Sequence, residues 1–343
     1  PMSRLSGCAV APLLERPSWC HRTTRRLEYA LAAKRPLHGP RGECASRGAS
    51  VKLRSAVING RGHDAIMSSI SQIKHVLVVV DGAEHSLTAV DQALAYAGMH
   101  EAALTIVVVT ENLAFAAAAD AMAFAQAITV SEDQRDEHLA AVRERTRNTA
   151  IEVEVHSVFE ASGLIPGLVK AEGQYADIAL IPGVGRWQRD GLRRRISEAL
   201  LFTGVPTVIL PASWNPGPID HAVLGWNASL ESFRAARALL NLAEPDARID
   251  VAIVDDPGVE SGEHRGGVQS ARLFARHGHS GGVCPISSSG KDTSAVLQNY
   301  AVEQKADVLV IGGYGRSRAL EFVLGGVTRE LIDHQRLPIV FVH

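Results

Sequence analysis

Cysteine, uninterrupted apolar runs and net charge are all scarce in this chain of 343 residues. Three of its four cysteines, Cys8, Cys20 and Cys44, fall in the first 66 residues, which leaves Cys284 alone in the rest. A lone cysteine forms no disulfide within its own domain, which suits a reducing cytoplasm, and there is no C-x2-C spacing to suggest a metal site. No stretch reads as a membrane span. The longest weakly apolar run, Leu113 to Val130, is mostly alanine and carries Asp120 and Gln126. A charge at mid-bilayer is costly, so a helix packed on its own domain is expected there. The net charge of -2 gives no reason to expect nucleic acid as a partner. What is present, 46% hydrophobic and 21% charged residues, belongs to a globular chain long enough for two ordinary domains.

The small net charge hides an asymmetry. Residues 1–66 hold 12 Lys or Arg against four acids, Glu15, Glu28, Glu43 and Asp64. They show no helix or strand period and are rich in Arg, Pro, Gly and Ser. Three readings fit: an organellar transit peptide, a disordered basic arm, or a leader foreign to the natural product. The third is favoured, because Met67 opens Met-Ser-Ser-Ile-Ser-Gln-Ile-Lys-His-Val-Leu-Val, a short polar lead into a strand. A disordered or non-native leader is expected over 1–66 in any case.

An internal repeat organises the remainder. Ala176-Asp-Ile-Ala-Leu-Ile-Pro-Gly-Val-Gly-Arg186 echoes Ala306-Asp-Val-Leu-Val-Ile-Gly-Gly-Tyr-Gly-Arg316. The copies open alike, Lys74 to Asp81 and Asp220 to Asn227, and each closes on a short strand containing proline, Val205–Leu210 and Leu337–Val342. Strands are predicted near 74–80, 103–109, 151–157, 177–182 and 206–210, then near 220–226, 249–254, 282–286, 307–311 and 338–342. Helices are predicted near 85–98, 114–146, 162–174 and 191–203, then near 229–241, 265–277, 292–304 and 317–334. Short apolar strands alternating with helices indicate α/β architecture: two tandem, doubly wound parallel-sheet domains of Rossmann-like type. The predicted division is 67–212 and 213–343, with Pro211–Ile219 as linker. Ligands of such sheets sit beyond the carboxyl ends of the strands where strand order reverses, at the end of strand one and the loop after strand four.

The loop after strand four of copy two has the spacing Gly-x2-Gly-x9-Gly, from Gly312 through Gly315 to Gly325, followed by Gly326, Val327 and Thr328. Its glycines permit tight turns and close ligand approach, and a helix opening at Gly325-Gly326 presents unpaired N–H groups suited to phosphate. Arg316 adds a charge-assisted contact. This loop resembles the ATP-binding signature of the universal stress protein family, and the resemblance covers about residues 67–343. The family signature ends Gly-Ser or Gly-Thr; here Gly326 replaces the hydroxyl residue and Thr328 follows two positions later. Copy one departs further. Gly183 and Ser197 are kept, but Arg186 and Ile196 replace the second and third glycines, and a β-branched Ile resists the required backbone. Arg186, Arg193, Arg194 and Arg195 are expected to form a solvated basic face. At the end of strand one, copy one keeps Asp81-Gly82 where copy two has Trp226-Asn227, and an Asn cannot neutralise a metal ion.

The resemblance implies a cytoplasmic, non-catalytic stress-response protein holding ATP or a related adenine nucleotide in copy two. The residues it assigns to nucleotide binding are Trp226, Asn227, Val254, Ile311, Gly312, Gly315, Arg316, Gly325, Gly326, Val327 and Thr328. Magnesium would have no carboxylate to meet it there. The copies would pair as an intrachain pseudo-dimer through Thr207–Leu210 and Ile339–Val342, with a homodimer also open. A slow ATP hydrolase and a nucleotide-free interaction module remain alternatives. A dinucleotide fingerprint, a P-loop at Gly290-Lys291 and a nucleophile elbow at Ser317 each fail on defining residues. His75, His85, His221 and His343 lack ligand spacing and are read as surface or strand-end residues.

Overall fold

The structure, a computed structural model, describes residues 73–114, 120–255, 262–313 and 326–343. The leader lies outside the described residues. The first half runs β1 (His75–Val80), α1 (Glu84–Met99), β2 (Ala103–Glu111), α2 (Ala121–Thr146), β3 (Val153–Glu160), α3 (Ile165–Gly173), β4 (Ile178–Pro182), α4 (Asp190–Leu201) and β5 (Thr207–Leu210). The second repeats it: β6 (His221–Gly225), α5 (Leu230–Leu242), β7 (Arg248–Asp255), α6 (Gly262–Arg276), β8 (Val283–Ser287), α7 (Thr293–Glu303), β9 (Val308–Gly312), α8 (Gly326–Asp333) and β10 (Ile339–Val342). Helix α2 starts later than its apolar pattern suggests because Asp120 caps it: Oδ1 accepts from the backbone N–H of Met122 at 2.8 Å and of Ala123 at 3.0 Å. The predicted helix 317–334 is seen from Gly326, and 317–325 lies outside the described residues.

All strands join one ten-stranded sheet in the order β3-β2-β1-β4-β5-β10-β9-β6-β7-β8. Every neighbouring pair is parallel except β5 with β10, which is antiparallel with Val208 opposite Val340. Each half is therefore a doubly wound sheet whose order reverses between its first and fourth strands, and the two last strands pair across a pseudo-twofold. Alternate residues of the apolar strands feed two cores. Val76, Val78 and Val80 face α1 and α2, as Leu224, Val251 and Ile253 face α5 and α6. Leu77 and Val79 face α3 and α4, as Leu309 and Ile311 face α7 and α8.

The repeated Ala-Asp has a structural role. Asp177 Oδ2 accepts from the backbone N–H of Lys74 (2.7 Å) and His75 (2.9 Å), tying the start of β1 to β4. Asp307 Oδ2 does the same for Asp220 (2.9 Å) and His221 (2.8 Å). The linker is also fastened: Trp214 packs on Tyr96 with ring centroids 5.8 Å apart, and Gln92 Nε2 donates to the Trp214 carbonyl. Among the described residues no helix is long and apolar enough to cross a membrane.

Candidate functional site

In the second half the carboxyl ends of three strands lie side by side, since Gly225 of β6 pairs with Ala252 of β7 and Ile311 of β9. The candidate residues divide here by what their side chains do. The Trp226 ring is buried, stands edge-on to Phe233 at 4.7 Å and backs onto Gly266, so it belongs to the core wall beneath the crevice. Ile311 is also a core residue, packed beneath Gly225. Asn227 and Val254 are half-buried at their strand ends. Asn227 Oδ1 accepts from the backbone N–H of Ser229 at 3.1 Å, which holds the turn in which Ala228 adopts φ 56. Ser229 then caps α5, its Oγ accepting from Ser232 N–H at 3.2 Å.

At Gly312 the close approach is to protein. A Cβ there would lie 2.5 Å from the Glu231 carbonyl carbon and the Ser232 nitrogen, so glycine is needed for β9 to pass the first turn of α5. Glu231, which sequence reasoning missed, is therefore a buried acidic residue at the end of β9. Only its burial reveals it, because nothing in its spacing marks it. At the start of α8, Gly326 is exposed and a Cβ there would meet none of the described residues within 4 Å. Val327 is exposed as well, whereas Thr328 is turned inward at 4% exposure. Gly315, Arg316 and Gly325 lie outside the described residues. Among the described residues no group of three His, Cys, Asp or Glu side chains could hold a metal ion.

The equivalent crevice of the first half is crossed by its own loop. The buried Asp81 carboxylate accepts from Ala83 N–H at 3.2 Å and, across the crevice, from Gln188 N–H at 2.6 Å. Trp187 is buried against Leu192 and Ile196 of α4. Beside Asp81 there remains a cavity of about 120 Å3 lined by Asp81, Thr110, Glu111, His138, Trp187 and Leu192 among others, and past Glu111, Arg189 and Leu192 an open hollow of about 430 Å3 reaches Gly191 and Arg195. His138 on α2 seals the floor: Gly82 has φ +76, and a Cβ there would lie 2.5 Å from His138 Cβ. Burial holds the His138 imidazole below its usual pKa, against the opposing pull of Asp81 and Glu137.

The sequence model of the universal stress protein family matches residues 72–165 and 218–343, more than half of the chain. The chain belongs to the universal stress protein family. Among solved structures, a universal stress protein from Archaeoglobus fulgidus is similar at a TM-score of 0.56 and 15% identity, covering 79% of this chain and 98% of its own. A functionally unknown protein from Pseudomonas aeruginosa is similar at a TM-score of 0.50 and 15% identity, covering 80% of this chain and 93% of its own. At such identities the likeness establishes the tandem fold alone. A universal stress protein solved in complex with cAMP is 23% identical over 37% of this chain and 98% of its own, and its TM-score of 0.30 carries no argument. No curated protein sequence matches the chain significantly.

One expectation about this universal stress protein is corrected: the arginines of the first loop do not form a solvated face. Arg186 is buried and its Nη1 donates to Gln92 Oε1 at 3.0 Å, which ties the loop to α1 and, through Gln92, to the linker. Arg193 is 0% exposed. Burial lowers the pKa of both guanidiniums, and for Arg193 the carboxylates of Asp190 and Asp333 oppose the shift. Arg194 is half-buried against Asp333, and of the four only Arg195 is exposed. Their partners come from distant parts of the chain, which charge counting along a loop cannot register.

Proposed function

We propose that the chain binds one adenine nucleotide, in the second of two domains spanning 67–212 and 213–343, and works as a nucleotide-regulated, non-catalytic module of the cytoplasmic stress response. The observation that carries this reading is the asymmetry of the crevices. In the first domain Asp81 and Gln188 join across the crevice and Trp187 is buried beside them. In the second, α8 begins at an exposed glycine, and no described residue stands within 4 Å of where its Cβ would be. Helix starts favour phosphate through unpaired N–H groups and the positive end of the dipole. Gly326, Val327 and the preceding loop with Gly315, Arg316 and Gly325 would meet the phosphates, while Asn227 and Val254 would border the nucleoside. Trp226 and Ile311 support from the core, Gly312 shapes the strand end through its fit against α5, and Thr328 anchors α8. Because β5 and β10 occupy each other's edges, a second copy of the chain would dock elsewhere than on the last strands.

The test is to purify the chain, release any retained ligand by heat and identify it by mass spectrometry, then titrate the stripped protein with ATP. Recovery of an adenine nucleotide and saturable rebinding are expected. A stripped protein with no affinity for ATP, ADP or AMP would overturn the proposal in favour of a nucleotide-free interaction module. Sustained phosphate release from ATP would replace the non-catalytic reading with slow hydrolysis.

A further inference from the structure

Among the described residues the largest fully buried side chain is a charged one, Arg193 on α4 of the first domain; its Nε reaches Asp190 of its own helix at 3.4 Å, and its other partners lie in the second domain. Its Nη1 donates to the carbonyl of Ile332 at 2.9 Å and its Nη2 to Asp333 Oδ1 at 3.1 Å. Arg194 Nη1 donates to the other oxygen of the same carboxylate, Asp333 Oδ2, at 3.2 Å. Ile332 and Asp333 are the last two residues of α8. Two consecutive arginines of one domain thus grip the end of a helix in the other.

The gripped helix is the one whose first turn is assigned to phosphate. With eight residues it is about 12 Å long at about 1.5 Å per residue. A helix this short is marginal on its own and persists through tertiary contacts. Its final carbonyls have no partner within the helix, and Asp333 puts a negative charge at the negative end of the dipole. Arg193 acts on both: it donates to the Ile332 carbonyl, which Gln335 Nε2 also reaches, and with Arg194 it neutralises the misplaced carboxylate. Leu331 and Ile332 are wholly buried in the same core as Ile196 and Leu200 of α4, so the charged grip and the apolar contact act on one face.

We propose that Arg193 is a positioning residue for the nucleotide site of the neighbouring domain. It holds α8 from its C-terminal end, so that the N–H groups at Gly326 and Val327 are presented in a fixed place. The first domain serves as the platform for the second. Linkage is reciprocal: if the grip favours nucleotide binding, nucleotide binding tightens the grip. The inference rests on the proposed nucleotide site.

Two variants of the full chain test it. Arg193→Lys keeps the charge but loses the planar fork. The double variant Arg193→Leu with Asp333→Leu removes both sides of the tie; Asp190 is exposed to solvent, and Arg194, which also loses Asp333, keeps Glu198 at 3.9 Å. ATP affinity is measured by calorimetry, and amide hydrogen exchange over α4 and α8 is followed with and without ATP. In the unaltered chain ATP should slow exchange in α4 of the first domain as well as in α8. In both variants affinity should fall about fivefold or more, the lower end of ordinary coupling between sites, and the protection of α4 should vanish. Variants that melt earlier yet bind ATP within twofold of the unaltered chain would reduce Arg193 to a structural tie and overturn this inference alone. An unaltered chain that binds no nucleotide would overturn the site and this inference together.

Discussion

Gly326→Ser restores the hydroxyl that the family signature carries at the start of α8, and the structure says what it should do. A Cβ at 326 meets none of the described residues within 4 Å, and the residue is not in the left-handed region, so serine is expected to enter without clash against them or backbone strain. Serine is also a better helix former than glycine by a few tenths of a kcal/mol. A hydroxyl reaching a phosphate oxygen makes a hydrogen bond to a charged group, worth roughly 1.5–3 kcal/mol. Fixing the hydroxyl and stripping its water take back part of this, so a net gain near 1.4 kcal/mol is expected, about tenfold tighter ATP binding. Thr328 is no substitute, because it is turned inward; Thr328→Val should leave ATP affinity within about twofold while lowering stability by about 1 kcal/mol. Calorimetric titration with ATP and, in parallel, adenosine separates a phosphate effect from a general one. The reasoning is refuted if Gly326→Ser leaves ATP affinity unchanged, if adenosine gains equally, or if Thr328→Val weakens ATP tenfold.

Other consequences concern the frame around the site. Burial raises the pKa of Glu198 on α4 above its ordinary 4.5, with Arg194 and Arg329 opposing and Asp333 adding to the rise. The native state then holds this proton more tightly than the unfolded chain, so the group's contribution to stability is full below pH 4.5 and is lost as pH rises through the raised value. Glu198→Gln should therefore raise the melting temperature at neutral pH and change nothing below the ordinary carboxyl range; a variant that melts lower at neutral pH would show that the charged form is the stabilising one. Gly82→Ala forces an L side chain into φ +76 and its Cβ to 2.5 Å from His138 Cβ, at a cost of about 2–4 kcal/mol in denaturant unfolding; a cost under about 0.5 kcal/mol would mean that α2 gives way freely. Phe341, wholly buried in β10 opposite Thr207 of β5, should cost about 3–5 kcal/mol on change to alanine, and both halves should then lose stability together; two separate unfolding transitions with the first half unaffected would deny that the joined sheet unfolds as one body.

Much of the fold could be read from the sequence because its strands are short, continuously apolar and rich in Val and Ile, a pattern that only a sheet covered on both faces explains. The repeat made the second half predictable from the first, and the pairing of the last strands was an implication of the family resemblance. Asp177 and Asp307 were legible as an echo, but not as the acceptors that tie strand one to strand four, since their N–H partners lie 103 and 87 residues away. The arginines after β4 misled for the same reason: Arg193 finds its carbonyl 139 residues further on, and a run of cations in a loop ordinarily means solvent. Gly312 was legible as a position that excludes a side chain. What it excludes a side chain from, the α5 backbone at Glu231 and Ser232, required coordinates. In the linker, the packing of Trp214 on Tyr96 was not legible, since the partner lies on α1, far back in the chain.

The central claim is that only the second half of this universal stress protein takes an adenine nucleotide. Isothermal titration of the stripped full chain with ATP tests it most directly. The account predicts saturation at one nucleotide per chain. Two equivalent sites would mean that Asp81, Trp187 and Gln188 do not close the first crevice, and no binding at all would mean that the open start of α8 has no phosphate to receive.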